Sequence, residues 1–401
     1  MKILFVIPYV PNLIRTRSFN FLKYLVARGN RVSLFTICTS ENDQRELINL
    51  TDLCDDIHCI GLSRWKSFWN CVLALPTSYP LQAVYSWTTE LVEEAITRIP
   101  EFDIVHVEHL RGAKYGLSLL ERNFQKRPPI IWDSVDCISY LFRQAAQHSQ
   151  RLHSRWLTRF ELARTEGYER YLSRQFDRIL VTSKNDKQAF HDLNGSSNWD
   201  LPISVVPNGV DLDYFAPNSD VVREKNTIVI VGKMSYHANV SMVLYFIQEI
   251  FPFIREKIPL VKLVIVGKDP PRVIRALDGK DGIEVTGTVD DVRPYLQRAT
   301  VSVSPVTYGA GIQNKVLEAM ACGTPVVATP IAVSALDAKH GKDLLVAEGG
   351  KSFADKVLHL LENAEIQTQI GNSGRVYVEE NHHWNQIVMD LEEIYRDVIE
   401  A

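Results

Sequence analysis

The chain has 401 residues, 46% of them hydrophobic and 23% charged, so it is neither disordered nor fibrous and is long enough for two cores at roughly 150 residues per domain. Lys and Arg number 44 against 48 Asp and Glu, a formal net charge of −4, which excludes a generally basic nucleic-acid binder that works by counterion release. The balance shifts along the chain: residues 1–200 hold 25 Lys and Arg against 22 Asp and Glu, and residues 201–401 hold 19 against 26. That split points to different partners for the two halves.

No run approaches the roughly 18–20 apolar residues of a membrane helix, and the first strand-like run, 2–7, lacks the length and small-residue cleavage site of a secretory leader. A cytoplasmic protein is expected, either free or resting on the cytoplasmic face of a membrane. Six cysteines (Cys38, Cys54, Cys59, Cys71, Cys137, Cys322) form no C-x-x-C pair, so reduced thiols are expected rather than a disulfide framework or a zinc site. The adjacent His382 and His383 point in different directions on a helix, and no metal is expected.

In chain order, short β-branched runs fall at 2–7, 31–36, 57–60, 104–107, 130–132, 178–181 and 203–206, with helical spacing at 18–28, 89–98 and around 151–175. The same alternation restarts with strands at 227–231, 261–266, 283–285, 301–304, 325–328 and 344–346. Its helices are predicted at 240–257, 292–297, 315–322, 351–363 and 367–380. Such alternation is the signature of parallel sheets covered by helices. Pro207-Asn208-Gly209 and Ala216-Pro217-Asn218 are dense in turn formers. The predicted organisation is α/β: a Rossmann-like domain over 1–206, a connector over 207–226, a second Rossmann-like domain over 227–380, and a last helix in 381–401 that packs on either domain. Two doubly wound domains would face a central cleft at the carboxyl ends of their strands, where ligands of open α/β sheets bind.

Residues 301–329 concentrate the chemistry. A buried strand leads to a loop with Gly309 and Gly311, then to a helix opening near Gln313, Asn314 and Lys315, which stops at Gly323. A glycine loop at a helix N-terminus offers free N–H groups to an anion, most often phosphate. Lys315 adds a point charge, and Glu318 can accept two hydroxyl hydrogen bonds, as a ribose diol offers. The alternative is an ordinary strand, loop and helix whose glycines only make the turn.

This segment resembles the donor site of retaining glycosyltransferases of family 4, which have the GT-B fold of two Rossmann-like domains. In that family two glutamates flank a glycine-containing loop, and the second, followed by A-M-A-x-G-x-P-V-V, binds the nucleotide ribose. Glu318, Ala319-Met320-Ala321, Gly323 and Pro325-Val326-Val327 match that second half. The first glutamate, which holds donor-sugar hydroxyls, falls at Ala310 and is absent. The form G-x-G-I-x-x-K-x-L-E, with Ile312 and Lys315, is similar to a bacterial subgroup associated with surface polysaccharides. Relatives place an arginine and then a lysine on the donor diphosphate, after Gly232; the corresponding residues here are Lys233 and Asn239. The resemblance extends to Phe176-Asp177-Arg178, Val206 to Asp211, Gly287-Thr288-Val289 and Trp384.

In the first half, relatives have a glycine-rich loop after the first strand. Here that loop, 8–17, has no glycine, and Arg15 and Arg17 either bind phosphate in its stead or are solvated charges opening a helix. By alternation His106 and Glu108 share one strand face and His109 the other. Relatives carry a histidine near the Glu108 position that contacts the transferred sugar or β-phosphate, so Glu108 is expected to accept hydroxyl bonds there or to be a structural group. Asp133 and Asp136 either face the same site or cap the following helix. Two stretches suit a membrane surface or an anionic acceptor. Arg64-Trp65-Lys66-Ser67-Phe68-Trp69 is either interfacial or a helix that buries its aromatic face. The eight arginines at 143, 151, 155, 159, 164, 170, 174 and 178 either meet anionic lipid or form a solvated helix with pairs such as Glu166 and Arg170.

The resemblance implies a retaining, metal-independent transferase with a nucleotide-diphosphate sugar as co-substrate, no other cofactor, and a glycan, glycolipid or small-molecule acceptor. In such relatives the β-phosphate oxygen takes the acceptor proton, so no general base is expected. The alternatives are a glycosyltransferase-like scaffold that binds sugar nucleotides without catalysis and a sugar-nucleotide epimerase of the same fold.

Overall fold

The computed structural model describes residues 1–12, 15–124, 126–148, 152–195, 200–309 and 311–401, and the side chains of 145–148 and 152–158 are not described. The chain forms two compact units, Met1–Pro207 with Trp384–Ala401, and Asn208–His383.

The first unit is a seven-stranded parallel sheet of β1 (Lys2–Ile7), β2 (Arg31–Cys38), β3 (Asp56–Gly61), β4 (Ile104–Glu108), β5 (Ile130–Val135), β6 (Arg178–Val181) and β7 (Ile203–Val205), in the order β3-β2-β1-β4-β5-β6-β7. Its strands are apolar on both faces because helices cover both. Leu4 and Val6 face one core with Val105, Val107 and Trp132; Ile3, Phe5 and Ile7 face the other with Phe21, Ile104 and Ile131. The final helix, Trp384–Glu400, completes the second core with Trp384, Ile387, Val388, Leu391 and Tyr395. It is pinned by Glu392, which accepts from Arg28 Nε at 2.9 Å and from Asn30 Nδ2 at 2.5 Å.

The second unit is a six-stranded parallel sheet of β8 (Thr227–Val231), β9 (Lys262–Val266), β10 (Ile283–Gly287), β11 (Val301–Ser304), β12 (Val326–Ala328) and β13 (Leu345–Val346), in the order β10-β9-β8-β11-β12-β13. Chain direction across each sheet reverses between its first and fourth strands, β1 and β4 in one and β8 and β11 in the other. Such switch points, at the carboxyl ends of the strands, are where open sheets bind ligands.

Four expectations change. Residues 208–226 do not stand apart as a connector but pack on the second unit, where Arg375 Nη1 donates to Phe215 O and Ala321 O, both at 2.7 Å. The predicted helix 240–257 breaks into His237–Tyr245, a π-helical turn Phe246–Ile250, and Phe251–Lys257. Pro252 lacks an N–H and its ring crowds the preceding turn. Cys38 and Cys59 are joined as a disulfide; the register that sets Thr36 beside Cys59 makes them diagonal neighbours on β2 and β3. The helix His109–Leu120, missed because Gly112 and Gly116 weaken its local preference, lies tight against the sheet. A Cβ at Gly116 would sit 2.5 Å from Phe176 Cε1.

Candidate functional site

In the second unit the residues singled out for the donor come together at the β8/β11 switch point. β8 ends in a loop whose Gly232 has no room for a side chain: a Cβ would meet Asn239 Nδ2 at 2.9 Å. Asn239, in the first turn of the helix His237–Tyr245, donates to Lys233 O at 2.9 Å. Its amide oxygen accepts from Lys315 Nζ at 2.8 Å, and Lys315 also donates to Gln313 Oε1 at 3.2 Å. Asn239 thus joins the loop after β8, which carries the exposed Lys233, to the helix after β11.

The helix carrying Lys315 and Glu318 runs Asn314–Ala321, and its N-cap, Gln313, makes no capping bond to the first turn. Gly311 (φ 66) shapes its approach and Gly323 (φ 68) its exit. Ile312 is buried and fixes the loop in the core, Gly309 packs near Gln313, and Asn314 Oδ1 accepts from Asn208 Nδ2 at 3.4 Å. Ala310 lies outside the described residues. Burial pulls Lys315 down to about 8 and pushes Glu318 up to about 7, each eased by the other's charge. Among the described residues Glu318 makes no hydrogen bond or ion pair, so a half-buried carboxylate stands open to hydroxyl donors. His237 and Tyr308, which no motif marked, stack at 5.6 Å and share a hydrogen bond of 2.5 Å beside this loop. Asp211 serves a turn: its Oδ1 accepts from Tyr214 N at 3.0 Å.

In the first unit most of the residues singled out are engaged by the protein itself. Arg17 is 4% exposed. Its Nε donates to Asp133 Oδ2 at 2.7 Å and Nη2 to Asp133 Oδ1 at 3.2 Å, while Nη1 reaches Val206 O at 2.9 Å and Pro207 O at 3.3 Å. The expectation of a phosphate ligand is corrected: Arg17 ties the first helix to β5 and to the end of β7. Burial alone would raise Asp133, but Arg17 and then His106 outweigh it and hold the carboxyl at about 2. His106 is fully buried, hydrogen-bonded through Nδ1 to Tyr395 Oη at 2.7 Å, which makes it a structural group.

Asp136 is half-buried and accepts from Thr182 Oγ1 at 3.1 Å. It does not cap the following helix: Asp186 receives Cys137 N at 2.9 Å, and Glu169 receives Ile138 N at 2.8 Å and Ser139 N at 3.1 Å. Glu108 is 2% exposed, accepts from Tyr9 Oη at 2.6 Å, and is pushed up to about 7 by burial and then by Asp133. Only Arg15 of this group is exposed; its guanidinium lies 4.3 Å from the Tyr9 ring.

Three arginines of the row are engaged by the protein. Arg143 pairs with Glu166 at 2.6 Å, Arg164 caps the carbonyl end of the Arg64–Ala74 helix, and Arg170 donates to Leu193 O at 2.6 Å. Arg151 and the side chain of Arg155 lie outside the described residues. The aromatic stretch goes the other way. The helix Arg64–Ala74 buries only Ser67 and Ala74, leaving Trp65 74%, Trp69 56% and Leu73 70% exposed. It does not bury its aromatic face.

Comparison with known proteins adds the lineage. The family described as "Glycosyltransferase Family 4" matches residues 14–214, and "Glycosyl transferases group 1" matches 225–363. A protein of the cps region of Klebsiella pneumoniae is 20% identical over 58% of this chain and 59% of its own length. Phosphatidyl-myo-inositol mannosyltransferase of Mycobacterium tuberculosis is 26% identical over 74% of each chain. Among solved structures, sucrose-phosphate synthase from Thermosynechococcus elongatus superposes over 100% of both chains with a TM-score of 0.71 at 18% identity. HepE from Anabaena, solved with UDP and glucose, does so over 98% of both with a TM-score of 0.68 at 14% identity. At such identities the likeness is one of fold.

Proposed function

The chain belongs to glycosyltransferase family 4, retaining enzymes of the GT-B fold, and from that premise we propose that it moves a sugar from a nucleotide-diphosphate sugar to a hydroxyl acceptor with retention of configuration. The observation that carries this reading is the open carboxylate of Glu318 one helical turn from Lys315, with Asn239 locking Lys315 to the loop of Lys233. Glu318 takes the ribose diol. Lys233, Lys315 and the amides of the first turn of Asn314–Ala321 neutralise the diphosphate, so that charge on the departing nucleoside diphosphate is met by fixed donors. Preorganised stabilisation of that kind is usually the largest catalytic term. The acceptor is received by the first unit, where Glu108 acts through Tyr9. No metal takes part in this scheme.

The test is calorimetry with UDP, GDP, ADP and dTDP, followed by hydrolysis or transfer from the matching nucleotide sugar. One nucleotide is expected to bind and its sugar to be turned over, with both lost in Glu318→Ala and Lys315→Ala. Binding with no turnover would support the non-catalytic scaffold, and full activity in both variants would sink the donor assignment.

The exposed face of Arg64–Ala74 supports a second element of the reading: contact with an anionic membrane surface. No helix among the described residues is long and apolar enough to cross a membrane. This helix instead displays large apolar side chains together with Arg64 and Lys66, and has no acidic residue, which is the composition of an interfacial helix. A curated relative is named for a phosphatidylinositol acceptor. Co-sedimentation with phosphatidylglycerol vesicles is expected and is lost in a Trp65→Ser, Phe68→Ser, Trp69→Ser variant. Self-association through the same face in place of vesicle binding would overturn it.

A further inference from the structure

Three cations of the first unit, Arg15, Arg111 and Lys114, form no ion pair among the described residues. Arg111 and Lys114 lie one turn apart at the start of the helix His109–Leu120, and among the described residues neither forms an ion pair. Arg111 is only partly exposed, its Nε is buried without a hydrogen-bond partner, and its guanidinium stands 5.5 Å from the Tyr85 ring. Lys114 Nζ lies 4.2 Å from the Trp87 ring. Arg15, on the loop after β1, is close enough that its charge pulls Arg111 down, after burial the largest influence on it. Among the described residues its side chain otherwise reaches Val10 O and the Tyr9 ring. Glu108, the acid at the end of β4, bonds to Tyr9.

Like charges brought together, two of them only partly exposed, repel one another unless an anion joins them. The helix adds to the field, since its N-cap residue, Glu108, makes no side-chain capping bond. The site sits beside the β1/β4 switch point, and Tyr9, Tyr85 and Trp87 supply flat walls around it.

We propose that Arg15, Arg111 and Lys114 bind a phosphate or pyrophosphate group of the acceptor, in an anion site of the first unit distinct from the donor site of Lys233 and Lys315. Three cations suit a multiply charged phosphate rather than a single carboxylate, and guanidinium forks match its oxygens bidentately. The acceptor is therefore a phosphate ester or diphosphate ester with its sugar or alcohol portion against the aromatic walls. This inference rests on the first unit receiving the acceptor.

The probe is inorganic pyrophosphate, titrated by calorimetry into the full chain and its Arg111→Gln, Lys114→Gln and Lys315→Ala variants, with acetate as the monoanion control. Arg111→Gln and Lys114→Gln are each expected to weaken pyrophosphate by about tenfold, the worth of one charge-assisted hydrogen bond. Neither changes binding of the nucleoside diphosphate. Lys315→Ala keeps a pyrophosphate site, Arg111→Lys restores part of the affinity, and acetate does not compete. The proposal is overturned if pyrophosphate does not bind, if acetate displaces it, or if its binding vanishes in Lys315→Ala and is intact in Arg111→Gln. Weakened nucleoside diphosphate binding in Arg111→Gln would equally move these cations to the donor. Lys114 is partly exposed and its ammonium forms no hydrogen bond or ion pair among the described residues, so Lys114→Gln reads the site even if Arg111→Gln fails to fold. Because pyrophosphate needs no nucleotide, its binding is read separately from any failure of the donor assignment.

Discussion

Lys315 is held by Asn239, not by Glu318: its ammonium donates to the Asn239 amide oxygen at 2.8 Å, while Glu318, on the same helix one turn on, has no hydrogen-bond partner among the described residues. A neutral amide fixes the lysine without neutralising it. Both charges therefore stay available to a ligand that brings an anion and hydroxyl groups together.

The first prediction concerns pH. Glu318 must be ionised to accept hydroxyl bonds and titrates near 7, and Lys315 must be protonated to meet phosphate and titrates near 8. Affinity for the nucleoside diphosphate is expected to peak between about pH 7 and 8 and to fall on both sides. Calorimetry across pH 5.5–9.5 checks this, with Glu318→Gln flattening the acid limb and Lys315→Gln the alkaline one. The variants also separate Glu318 from the ligand's own phosphate ionisation. An unchanged profile in both would refute the assignment.

Asn239→Ala removes the link between the loop after β8 and Lys315. Nucleotide affinity should fall about tenfold, the worth of a hydrogen bond to a charged group, with little change in thermal stability. Gly232→Ala should imitate it, since the added Cβ pushes on an Asn239 amide already bonded at both ends. Equal affinity in all three proteins would mean that Lys315 needs no positioning.

Arg17→Ala tests the buried tie to Asp133. It leaves a buried carboxylate and the carbonyls of Val206 and Pro207 unanswered, which should cost about 3–5 kcal/mol. In the folded wild type Asp133 titrates at about 2, below its ordinary 3.8, so its stabilising contribution is present above pH 3.8 and is lost as pH falls toward 2. The deficit of the variant in urea unfolding should be largest near neutrality and narrow on acidification. A constant deficit would assign the loss to packing alone.

Tyr395→Phe keeps the ring in the second core of the first unit but leaves His106 Nδ1 buried without its partner. The expected cost is about 1–3 kcal/mol, read as a lower urea midpoint at unchanged slope, with nucleotide affinity intact. A loss of affinity at unchanged stability would instead place His106 in the binding machinery.

The sheets were legible because parallel strands covered on both faces are nearly continuous β-branched runs. Thr227–Val231 and Val301–Ser304 are wholly buried and were predicted at those bounds. The loop and helix around Lys315 and Glu318 were legible for another reason: glycine punctuation, a cation and an acid lie within one short stretch. The first unit was harder to read. Arg17, His106 and Asp133 carry the residue types of a ligand site, and nothing in their local sequence says that they would find one another across 116 positions. Arg111 and Lys114 went unmarked because their helix is rich in glycine and resembles a loop. The pairing of Cys38 with Cys59 followed from strand register, which spacing does not disclose.

The sequence by itself determined the α/β class, the two-part organisation and the family, since all of these are written in local periodicity and in motifs contiguous in the chain. Tertiary structure alone decided which charges are neutralised. It committed Arg17 to Asp133, Arg143 to Glu166 and Arg170 to a carbonyl, and left Arg15, Arg111, Lys114 and Glu318 without an ion pair among the described residues. Whether a charged side chain holds the protein or waits for a ligand depends on the groups that folding brings within about 4 Å of it, and distance along the chain does not encode that.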